Sequence, residues 1–440
     1  MKIAVVGAGM SGLTAAYRLQ QAGHTLQVFE AEAVPGGRMG SVDVGGHRID
    51  PGTHMLLENF TRTRALVEEL GLASQWFEVQ GGDGGGVLHD HELASFSPKS
   101  AFDVLRFHGV PLRGRVRLLR AFVEARRYRG TLDFFDLSVG DDGLDAEDCD
   151  SYARRELGDE VADYVVDCFI RTFHFHGAGE MSLKYFQALV ALLLEHGDEF
   201  VSCALHGHMS ALPNALAAQV PVHYGVAVSQ VLSRGAQLEL RVDSAPQCFD
   251  AVVLATPAER ALALLPSASP GQRRLLEAAR SSRTIFAAFE VPAALAGNFE
   301  GVWIPYVESQ VLSGLANDAA RAEGPRSSCA FSVWMHEEAA SSHWNAPDDQ
   351  VFDVLRNEVA RLFPRFAGAL TPLYLKRWAH ALPVYGVGQV SRVQEFWAHG
   401  QGEGGLWLCG DYLNHPWLEG AVRCGEKVAA AVLAKAGAQS

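Results

Sequence analysis

Three glycines near the N-terminus have the spacing of a turn that can hold a pyrophosphate. Gly7, Gly9 and Gly12 follow a short apolar run rich in β-branched residues and precede a segment with helical periodicity. In such a strand–turn–helix unit the first glycine permits the tight turn, the second lets a pyrophosphate approach the backbone, and the third lets helix and strand pack closely. The pyrophosphate would then meet the helix N-terminus, at Met10 and Ser11.

An acidic residue ends the next predicted strand. Leu26–Phe29 leads to Glu30, whose carboxylate can accept hydrogen bonds from ribose hydroxyl groups, and Ala31 lies beside it. An acid rather than a base at this position disfavours a ribose 2′-phosphate. The glycines alone are a weak motif. Together with this acid they predict a dinucleotide on a βαβ unit rather than a glycine-rich turn without a ligand.

A second group of glycines follows this acid. Gly36, Gly37 and Arg38 come first, and Asp50–Gly52 comes shortly after. This order resembles the flavin amine oxidase superfamily, which includes monoamine and amino-acid oxidases, protoporphyrinogen oxidases, and phytoene- and squalene-type desaturases. The glycines would let the loop lie against the cofactor, and the arginine would supply charge-assisted hydrogen bonds to phosphate or flavin oxygens. The resemblance implies FAD rather than NAD, and it puts three residues where the chain passes the flavin ring: Thr53, His54 and Met55.

The stretch GDYLNHPWLEGAVRCGEKVAAAV, residues 410–432, resembles the second half of the same cofactor site. The resemblance places Gly410 and Asp411 at the pyrophosphate and the ribityl chain. It also places a helix N-terminus, with free N–H groups and a positive dipole end, at the electron-rich pyrimidine edge of the flavin. The residues assigned to that helix start are Glu419, Gly420 and Ala421, and Val228 is assigned to the strand whose backbone holds the adenine.

Aromatic residues are the candidates for the substrate side of the flavin. Monoamine oxidases frame the flavin face with two aromatics, and the matching positions are Tyr385 in RWAHALPVYGVG and Trp417, two residues before Glu419. Such a pair can steer an electron-rich group and exclude water, although both rings could also be plain packing. The strand at 281–289, where amine oxidases carry a lysine, has only Arg283 as a base. No cysteine precedes Tyr385 in its loop, so the FAD is expected to be non-covalent.

Two His-x-His pairs could each place two imidazoles on one face of a strand. His174 and His176 lie in FHFHG, and His206 and His208 lie in HGH. Either pair could chelate a metal, but no carboxylate or cysteine lies at convincing spacing nearby, so no metal site is predicted. We assign the first pair to the substrate pocket or to the support of its residues, and the second pair to the structure.

The order of predicted elements changes along the chain. The α/β alternation of the N-terminal unit returns in Met209–Val231 and in the buried strand Asp250–Pro257. A glycine-rich loop or hairpin tip is predicted at 81–86, and an acidic linker at 141–150. Between these regions lie four helix candidates: Leu112–Arg127, Cys149–Glu156, Glu160–Arg171 and Ser182–His196.

We therefore predict an α/β fold assembled from separated segments. A Rossmann-like FAD-binding domain of the GR2 type would comprise residues 1–75, 205–270 and 395–440. A discontinuous, mixed α+β substrate-binding domain would comprise residues 76–204 and 271–394.

Composition and charge exclude some partners. The 440 residues are 48% hydrophobic and carry a net charge of −14, without a basic stripe that could neutralise nucleic-acid phosphates. Seven scattered cysteines without a CxxC motif are typical of reduced thiols, so we expect a cytoplasmic protein. No apolar run is long enough to span a bilayer, and the basic segment at 113–129 allows at most peripheral membrane contact.

The resemblance to the flavin amine oxidase superfamily implies an FAD-dependent oxidoreductase. We expect it to remove a hydride from a small or medium hydrophobic substrate, by C–N or C–C oxidation, in secondary metabolism. The electron acceptor would be O₂ or a quinone. The segment RWAHALPVYGVG also resembles protoporphyrinogen oxidases, whereas the Trp-Leu-Glu-Gly-Ala pattern is nearer to desaturases and amine oxidases. An isoprenoid or carotenoid desaturase or isomerase, a protoporphyrinogen-oxidase-like enzyme, and a flavin-bound sensor without turnover stay open as alternatives.

Overall fold

The computed structural model describes residues 1–79, 85–96, 101–140, 143–242, 245–321 and 326–437. The glycine-rich loop predicted at 81–86 lies outside these ranges up to residue 84, and a strand begins at Gly85. The acidic linker predicted at 141–150 lies outside them at residues 141 and 142. It continues as a 3-10 turn, Leu144–Ala146, and then as a helix that begins at Cys149.

Sixteen α-helices lie within the described ranges. They are α1 (Met10–Gln21), α2 (Thr61–Glu69), α3 (Ala101–Arg106), α4 (Leu112–Ala125), α5 (Cys149–Tyr152), α6 (Asp159–Val161), α7 (Cys168–His174), α8 (Leu183–His196), α9 (Ala211–Ala217), α10 (Ala258–Leu264), α11 (Pro270–Ala278), α12 (Ala293–Ala296), α13 (Glu337–Ser342), α14 (Asp348–Leu362), α15 (Gln389–His399) and α16 (Leu418–Gly437).

Twenty-two strands lie in the same part of the chain. They are β1 (Lys2–Val6), β2 (Thr25–Phe29), β3 (Val42–Val44), β4 (His47–Ile49), β5 (Leu56–Leu57), β6 (Trp76–Glu78), β7 (Gly85–His89), β8 (Glu92–Ser95), β9 (Ser202–Leu205), β10 (Val222–His223), β11 (Val228–Arg234), β12 (Gln237–Val242), β13 (Gln247–Phe249), β14 (Ala251–Leu254), β15 (Arg280–Ser281), β16 (Thr284–Pro292), β17 (Gly301–Trp303), β18 (Leu312–Asn317), β19 (Ser328–Met335), β20 (Thr371–Trp378), β21 (Pro383–Val384) and β22 (Leu406–Leu408).

β1 is the central strand of a five-stranded parallel sheet, in the order β10-β2-β1-β14-β22. Ile3 lies opposite Leu26 on one side and Ala251 on the other, and Val252 lies opposite Leu406. Both β1 and β14 are almost completely buried, as expected for apolar parallel strands that are covered on both faces. Three distant stretches of the chain thus build one Rossmann-like sheet, whose strands all end at the same edge.

The first and last helices pack against each other beside this sheet. A Cβ at Gly425 of α16 would lie 2.5 Å from the backbone oxygen of Ser11 and 2.8 Å from the Cβ of Thr14, both in α1. The glycine therefore permits an approach that any other residue would prevent. Because α1 begins at the pyrophosphate turn, this contact sets the C-terminal helix directly beside the predicted cofactor site.

A second, mixed sheet has seven strands in the order β20-β16-β19-β18-β17-β7-β8. In β16 alternate residues enter two different cores. Ile285 and Phe289 face one core, which α14 covers with Val351 and Leu355, and Phe286 faces a smaller core on the other side. The sheet combines residues 85–95 with residues 284–378, so it too is built from separated segments.

The helices predicted between residues 112 and 196 are present. Their bounds match well for α4 and α8, whereas the region from Cys149 to His174 is one interrupted run in which α5, α6 and α7 alternate with π-helical turns at Ala153–Leu157 and Ala162–Asp167. Gly158, at φ +91°, interrupts this run before α6. Within the described ranges no helix has the length and apolarity needed to cross a membrane.

Candidate functional site

The turn between β1 and α1 packs against Ala255 at Gly7 and Gly12, whereas there is free space beside Gly9. Gly7 has φ +103°, and a Cβ there would lie 2.6 Å from the carbonyl oxygen of Ala255. A Cβ at Gly12 would collide with the Gly7 carbonyl and lie 2.9 Å from the Cβ of Ala255. A Cβ at Gly9, in contrast, would meet no atom within 4 Å. The space beside Gly9 fits the pyrophosphate of a dinucleotide.

The first turn of α1 faces the same space. Gly9 is the N-cap of this helix, and it provides no side-chain acceptor for the N–H groups of the first turn. Met10 and Ser11, the first two helical residues, are buried. Phosphate oxygens can take the place of the missing cap, because the helix N-terminus offers unpaired N–H groups and a positive dipole end.

Glu30 is fixed at the carboxyl end of β2 by backbone contacts. Its Oε2 accepts a hydrogen bond from the N–H of Ala8 at 2.7 Å, and its Oε1 accepts one from the N–H of Glu32 at 2.9 Å. Each oxygen keeps a further lone pair that a ribose hydroxyl could use. Ala31 is exposed next to it, and Val228, the residue predicted at the adenine, begins β11.

The loop of Gly36, Gly37 and Arg38 lies directly against the turn. Gly36 (φ +104°) donates its N–H to the carbonyl of Ala8 at 2.8 Å, and Gly37 also has a positive φ, +56°. The N–H of Thr53 donates to the carbonyl of Arg38 at 2.8 Å. The sequence-predicted stretches 7–12, 36–38 and 53 are therefore brought together.

An ion pair joins this loop to the C-terminal stretch. The guanidinium of Arg38 contacts both carboxylate oxygens of Asp411, at 2.8 and 3.0 Å, and also donates to the carbonyl of Ala381 at 2.9 Å. Asp411 is buried and follows β22 by way of Gly410. The predicted contacts of Arg38 and Asp411 with the cofactor stay predictions. The pair itself fixes the two halves of the site relative to each other.

Tyr385 holds the backbone of Asp411 in place. Its hydroxyl donates to the backbone carbonyl of Asp411 at 2.6 Å, and its ring is only 1% exposed. Burial raises the pKa of this phenol, so the hydroxyl stays protonated. In this structure the Tyr385 side chain stabilises Asp411, the residue that pairs with Arg38. Its predicted place on the flavin face stays a prediction.

The side chain of Glu419 makes contacts within the fold that the motif does not predict. Its carboxylate is fully buried and accepts hydrogen bonds from the N–H groups of Arg62 and Thr63 and from the Thr63 hydroxyl, at 2.8 to 2.9 Å. The guanidinium of Arg423 lies 2.8 Å away. The carboxylate thus caps the N-terminus of α2. Only the backbone of this turn is left to face a flavin.

The two residues after Glu419 complete the first turn of α16. A Cβ at Gly420 would collide with the carbonyl of His415, so only glycine fits. The N–H of Ala421 donates to the carbonyl of Trp417 at 3.1 Å. The start of α16 is therefore packed tightly against the loop that carries Trp417.

His54 and Met55 link the cofactor loop to neighbouring segments. His54 Nδ1 lies 3.1 Å from the carbonyl of Asp50, and its Nε2 lies 3.0 Å from the carboxylate of Asp318. The ring also meets Trp334 edge to face, with centroids 4.9 Å apart. The sulfur of Met55 accepts a hydrogen bond from the hydroxyl of Ser202. These contacts attach the loop to β9 and to the second sheet.

Trp417 lies in a wall of aromatic side chains. It is 9% exposed and meets Phe134 edge to face at 5.3 Å and Phe173 at 5.7 Å. Phe173 in turn meets Trp303 at 5.3 Å, and Phe169 contacts both tryptophans. This aromatic wall joins α7, β17 and the loop before α16. It offers an apolar, polarisable surface next to the predicted flavin position.

Two histidines and a tyrosine surround Trp417 on its buried side. The Nδ1 of His415 accepts a hydrogen bond from the N–H of Trp417 at 3.2 Å, and the His415 ring stacks on Tyr185 at 5.6 Å. Tyr185 is hydrogen-bonded to His174 at 2.7 Å, and the His174 ring is parallel to Trp417 at 6.1 Å. Tyr185 and His415 are not predicted from the sequence. The only indication in the sequence that His415 belongs to the site is its position two residues before Trp417.

The three histidines near Trp417 are held neutral. Burial lowers the pKa of His174 and of His415 well below the usual value, with further contributions from neighbouring positive groups, and it lowers the pKa of His176 to about 3. Because His415 Nδ1 accepts a hydrogen bond, its proton is on Nε2. A neutral ring of this kind can orient Trp417 without adding a charge beside the flavin.

The first His-x-His pair does not lie in a strand. His174 is the last residue of α7, Phe175 adopts a left-handed conformation at φ +72°, and His176 donates from Nδ1 to the carbonyl of Gly177 at 3.0 Å. The expectation of two imidazoles on one strand face is therefore wrong. A left-handed C-cap turns the chain after the helix, and the two rings lie 6.0 Å apart at 49°.

The second pair follows β9 and serves different contacts. His206 stacks on Phe77 at 4.3 Å, and His208, at φ +60°, lies 3.7 Å from the buried carboxylate of Asp50. Burial opposes ionisation of Asp50, but hydrogen bonds from His208 and Ser41 prevail and lower its pKa. In the described part of the chain, no three histidine, cysteine, aspartate or glutamate side chains form a group that could hold a metal ion.

Comparisons with known proteins agree with this geometry. A model of the family described as flavin containing amine oxidoreductase matches residues 10–433. The coproporphyrinogen III oxidase of Mycobacterium tuberculosis (strain ATCC 25618 / H37Rv) is 27% identical over 420 residues, which cover 89% of this chain and 88% of that protein. The phytoene dehydrogenase of Streptomyces griseus is 52% identical over 54 residues, 12% of this chain and 11% of that one.

Solved structures of amine oxidases share the fold. Putrescine oxidase with bound putrescine superposes with a TM-score of 0.78 at 17% identity, and the match covers 99% of each chain. Cyclohexylamine oxidase from Brevibacterium oxydans IH-35A also has a TM-score of 0.78, at 16% identity and 99% coverage of both chains. The family match, the Rossmann-like sheet and the open pyrophosphate turn confirm the predicted family and cofactor. The chain belongs to the flavin containing amine oxidoreductase family and is an FAD-dependent oxidoreductase.

Proposed function

We propose that the enzyme removes a hydride from a small or medium hydrophobic substrate, by oxidation of a C–N or C–C bond. The observation that carries this proposal is the aromatic wall of Phe169, Phe173, Trp303 and Trp417 beside the start of α16. An apolar wall binds apolar substrate groups and excludes water from the reacting centre. When bound, FAD supplies the hydride-accepting chemistry.

Trp417 is the residue that would orient the substrate. The side chains of Trp417 and Tyr385 are both buried, but Trp417 is 9% exposed against 1% for Tyr385, and the Tyr385 hydroxyl is used by Asp411. The hydrogen bond from the backbone N–H of Trp417 to His415 fixes the backbone, and the packing of Phe134 against the indole fixes the ring. A ring held in this way can steer an amine or another electron-rich group of the substrate.

The substrate would be bound by a discontinuous domain formed by residues 76–204 and 271–394. Two observations support this proposal. The wall takes Phe169 and Phe173 from α7 and Trp303 from β17, and β17 is a strand of the seven-stranded sheet. The FAD is expected to be held without a covalent bond, because the loop at 377–388 has no cysteine. The electron acceptor, O₂ or a quinone, is an open part of the proposal.

The experiment is anaerobic bleaching of the enzyme-bound flavin by a panel of amines, amino acids, cyclic imine precursors, polyenes and porphyrinogens. We expect one hydrophobic class to bleach the flavin, and Trp417→Ala to slow that reduction by about tenfold or more, because a misplaced substrate loses reactive geometry. Trp417→Phe should keep most of the rate. Trp76→Ala, which removes an indole that packs on Arg64 and donates to Glu58, is the matched control.

Two results would contradict the proposal. One is a purified protein whose flavin no member of the panel bleaches. The other is a substrate whose bleaching rate is the same in Trp417→Ala as in the unmodified enzyme. Release of the yellow cofactor by heat or acid into the supernatant tests the non-covalent state in the same preparation.

Porphyrinogen oxidation is the second candidate, and a specific observation favours it besides the 27% identical relative. A cleft of about 440 Å³ between the β3–β4 hairpin and the second sheet is lined by three arginines and three aspartates: Arg48, Arg321, Arg326, Asp43, Asp50 and Asp318. Arg48 is paired with Asp43. Asp318, which also lines it, contacts His54 of the predicted flavin loop. Guanidinium groups suit the carboxylates of a tetrapyrrole. Bleaching by porphyrinogens alone, within the same panel, would select this candidate.

A further inference from the structure

The helix α4 has an apolar face on each side. Its inner face is buried in the protein and comprises Gly114, Leu118, Ala121, Phe122 and Ala125. Its outer face also carries large apolar side chains. Leu112 is 65% exposed, Val116 is 56% exposed and Val123 is 60% exposed, with the partly buried Leu119 between them.

These four outer residues form one stripe. They are spaced by four, three and four positions, which places them on a single side of a helix along about 16 Å of its length. We call this stripe, residues 112, 116, 119 and 123, the outer stripe of α4. A solvent-facing helix surface is normally polar, so a continuous apolar stripe there marks an interaction surface.

Arginines flank the outer stripe. The segment at 112–129 contains seven arginines and one glutamate, in a chain whose net charge is −14. Arg113 is paired with Glu160, and Arg120 with Glu124 and Glu156, which reduces their share of the local charge. Three further arginines are exposed around the stripe and its C-terminal end: Arg117, Arg126 and Arg127.

We propose that the outer stripe of α4 docks on the surface of an anionic lipid bilayer. Leucine and valine side chains would enter the boundary between headgroups and acyl chains, and the long arginine stems would reach the lipid phosphates. A surface that is apolar along its centre and positive at its edges is complementary to this boundary. The helix would lie in the interface and would not cross it.

Two features disfavour a second copy of the chain as the occupant. A symmetric contact through the same stripe would bring the flanking arginines of both copies together, and like charges across an interface are repulsive. Four side chains on a single helix also cover far less than the roughly 800 Å² per partner that a stable interface buries. A bilayer needs neither a matching shape nor a second positive surface.

The test is co-sedimentation of the FAD-loaded enzyme with vesicles. We expect binding to phosphatidylcholine vesicles that contain about 30 mol% phosphatidylglycerol, and at least tenfold weaker binding to pure phosphatidylcholine, because the arginines need anionic lipid. The variant Leu112→Gln/Val116→Thr/Val123→Thr should bind the anionic vesicles at least tenfold more weakly than the unmodified enzyme. Threonine keeps the β-branched shape of valine, so helix α4 and the thermal midpoint should be preserved.

A matched control separates this stripe from general surface hydrophobicity. Val307 is 57% exposed on another part of the surface, and Val307→Thr should leave vesicle binding unchanged. The variant Arg117→Gln/Arg126→Gln/Arg127→Gln should weaken binding to anionic vesicles and reduce its dependence on salt. Failure to bind anionic vesicles, unchanged binding by the triple apolar variant, or concentration-dependent dimerisation that this variant abolishes would each overturn the proposal.

Discussion

Glu419 illustrates how one residue of a cofactor motif can serve the fold. The carboxylate is buried and accepts hydrogen bonds from two backbone N–H groups and one hydroxyl at the start of α2, with Arg423 as its counter-ion. Every group that faces it is a donor. The residue therefore anchors α2 to α16, and through α16 it sets the position of the turn that carries Gly420 and Ala421.

Substitution of Glu419 by glutamine should destabilise the protein strongly. The new amide nitrogen would face donors, and Arg423 would lose its counter-ion, so we expect the free energy of unfolding to fall by about 2–4 kcal/mol. Urea unfolding of the purified variant measures this. The matched control is Glu277→Gln, which removes an exposed i,i+4 pair with Arg273 and should cost less than about 0.5 kcal/mol. Equal midpoints for the two variants would refute the capping role.

At the scale of elements, two glycines of the β1–turn–α1 unit have different roles: Gly12 is required by the packing of the fold, and Gly9 is required by cofactor binding. A Cβ at Gly12 collides with the Gly7 carbonyl, because helix and strand are closest there, whereas a Cβ at Gly9 meets nothing. Gly9 has φ −73° and ψ 172°, a conformation that alanine adopts freely. The chain alone therefore requires glycine at position 12 but not at position 9.

We expect Gly9→Ala to leave the thermal midpoint of the FAD-free protein unchanged and to weaken FAD binding by about tenfold or more, because the methyl group occupies the space for the pyrophosphate. Gly12→Ala should lower both the midpoint and the affinity, because the turn must open to accept it. Differential scanning fluorimetry of the FAD-free protein and titration with FAD measure the two quantities. A lower midpoint for FAD-free Gly9→Ala would contradict the assignment.

Local elements could be predicted from the sequence, and distant contacts could not. The glycines at 7, 9 and 12, the acid at position 30 and the helices α4 and α8 depend on patterns within a few residues. The ion pair of Arg38 with Asp411 and the contacts of His174 and Tyr185 with the Trp417 loop join residues that are far apart in the chain. The alternate spacing of His174 and His176 predicts a strand, but α7 ends at His174 and Phe175 adopts a left-handed conformation. The conformation of that single residue could not be predicted from the spacing.

At the scale of the whole molecule, the residues that the structure describes include four buried histidines whose ionisation opposes folding. Burial lowers the pKa of His174 and His415 well below the usual value, and lowers the pKa of His176 and His336 to about 3. In the unfolded chain each would titrate near pH 6.5. Below that pH the unfolded state binds more protons than the native state, so stability falls as the pH decreases towards the folded values.

We expect the free energy of unfolding to decrease between about pH 6.5 and pH 5, by up to roughly 1.4 kcal/mol per pH unit for each buried histidine. Carboxylates such as Glu259 do not affect stability in this pH range. Burial opposes the ionisation of Glu259, but hydrogen bonds from His380, its own backbone and Ser281 lower its pKa to about 2. Its ionisation therefore changes the free energy of unfolding only below about pH 4.5. Urea unfolding at a series of pH values measures the slope. His336→Gln keeps a donor for the Ser309 carbonyl. It should reduce the slope of the free energy of unfolding against pH by the contribution of one of the four histidines. A flat profile above pH 5 would contradict this account.

The close packing of α1 against α16 has a consequence for biosynthesis. The pyrophosphate turn is synthesised long before β22, Asp411 and α16, which complete its surroundings. At about 5–20 residues per second, the N-terminal half of the site waits tens of seconds for its C-terminal half. Until β14 is synthesised, one apolar edge of β1 is exposed, and from then until β22 is synthesised the edge of β14 is exposed. Nascent chains should therefore depend on chaperones until release, and flavin should be acquired only by completed polypeptides.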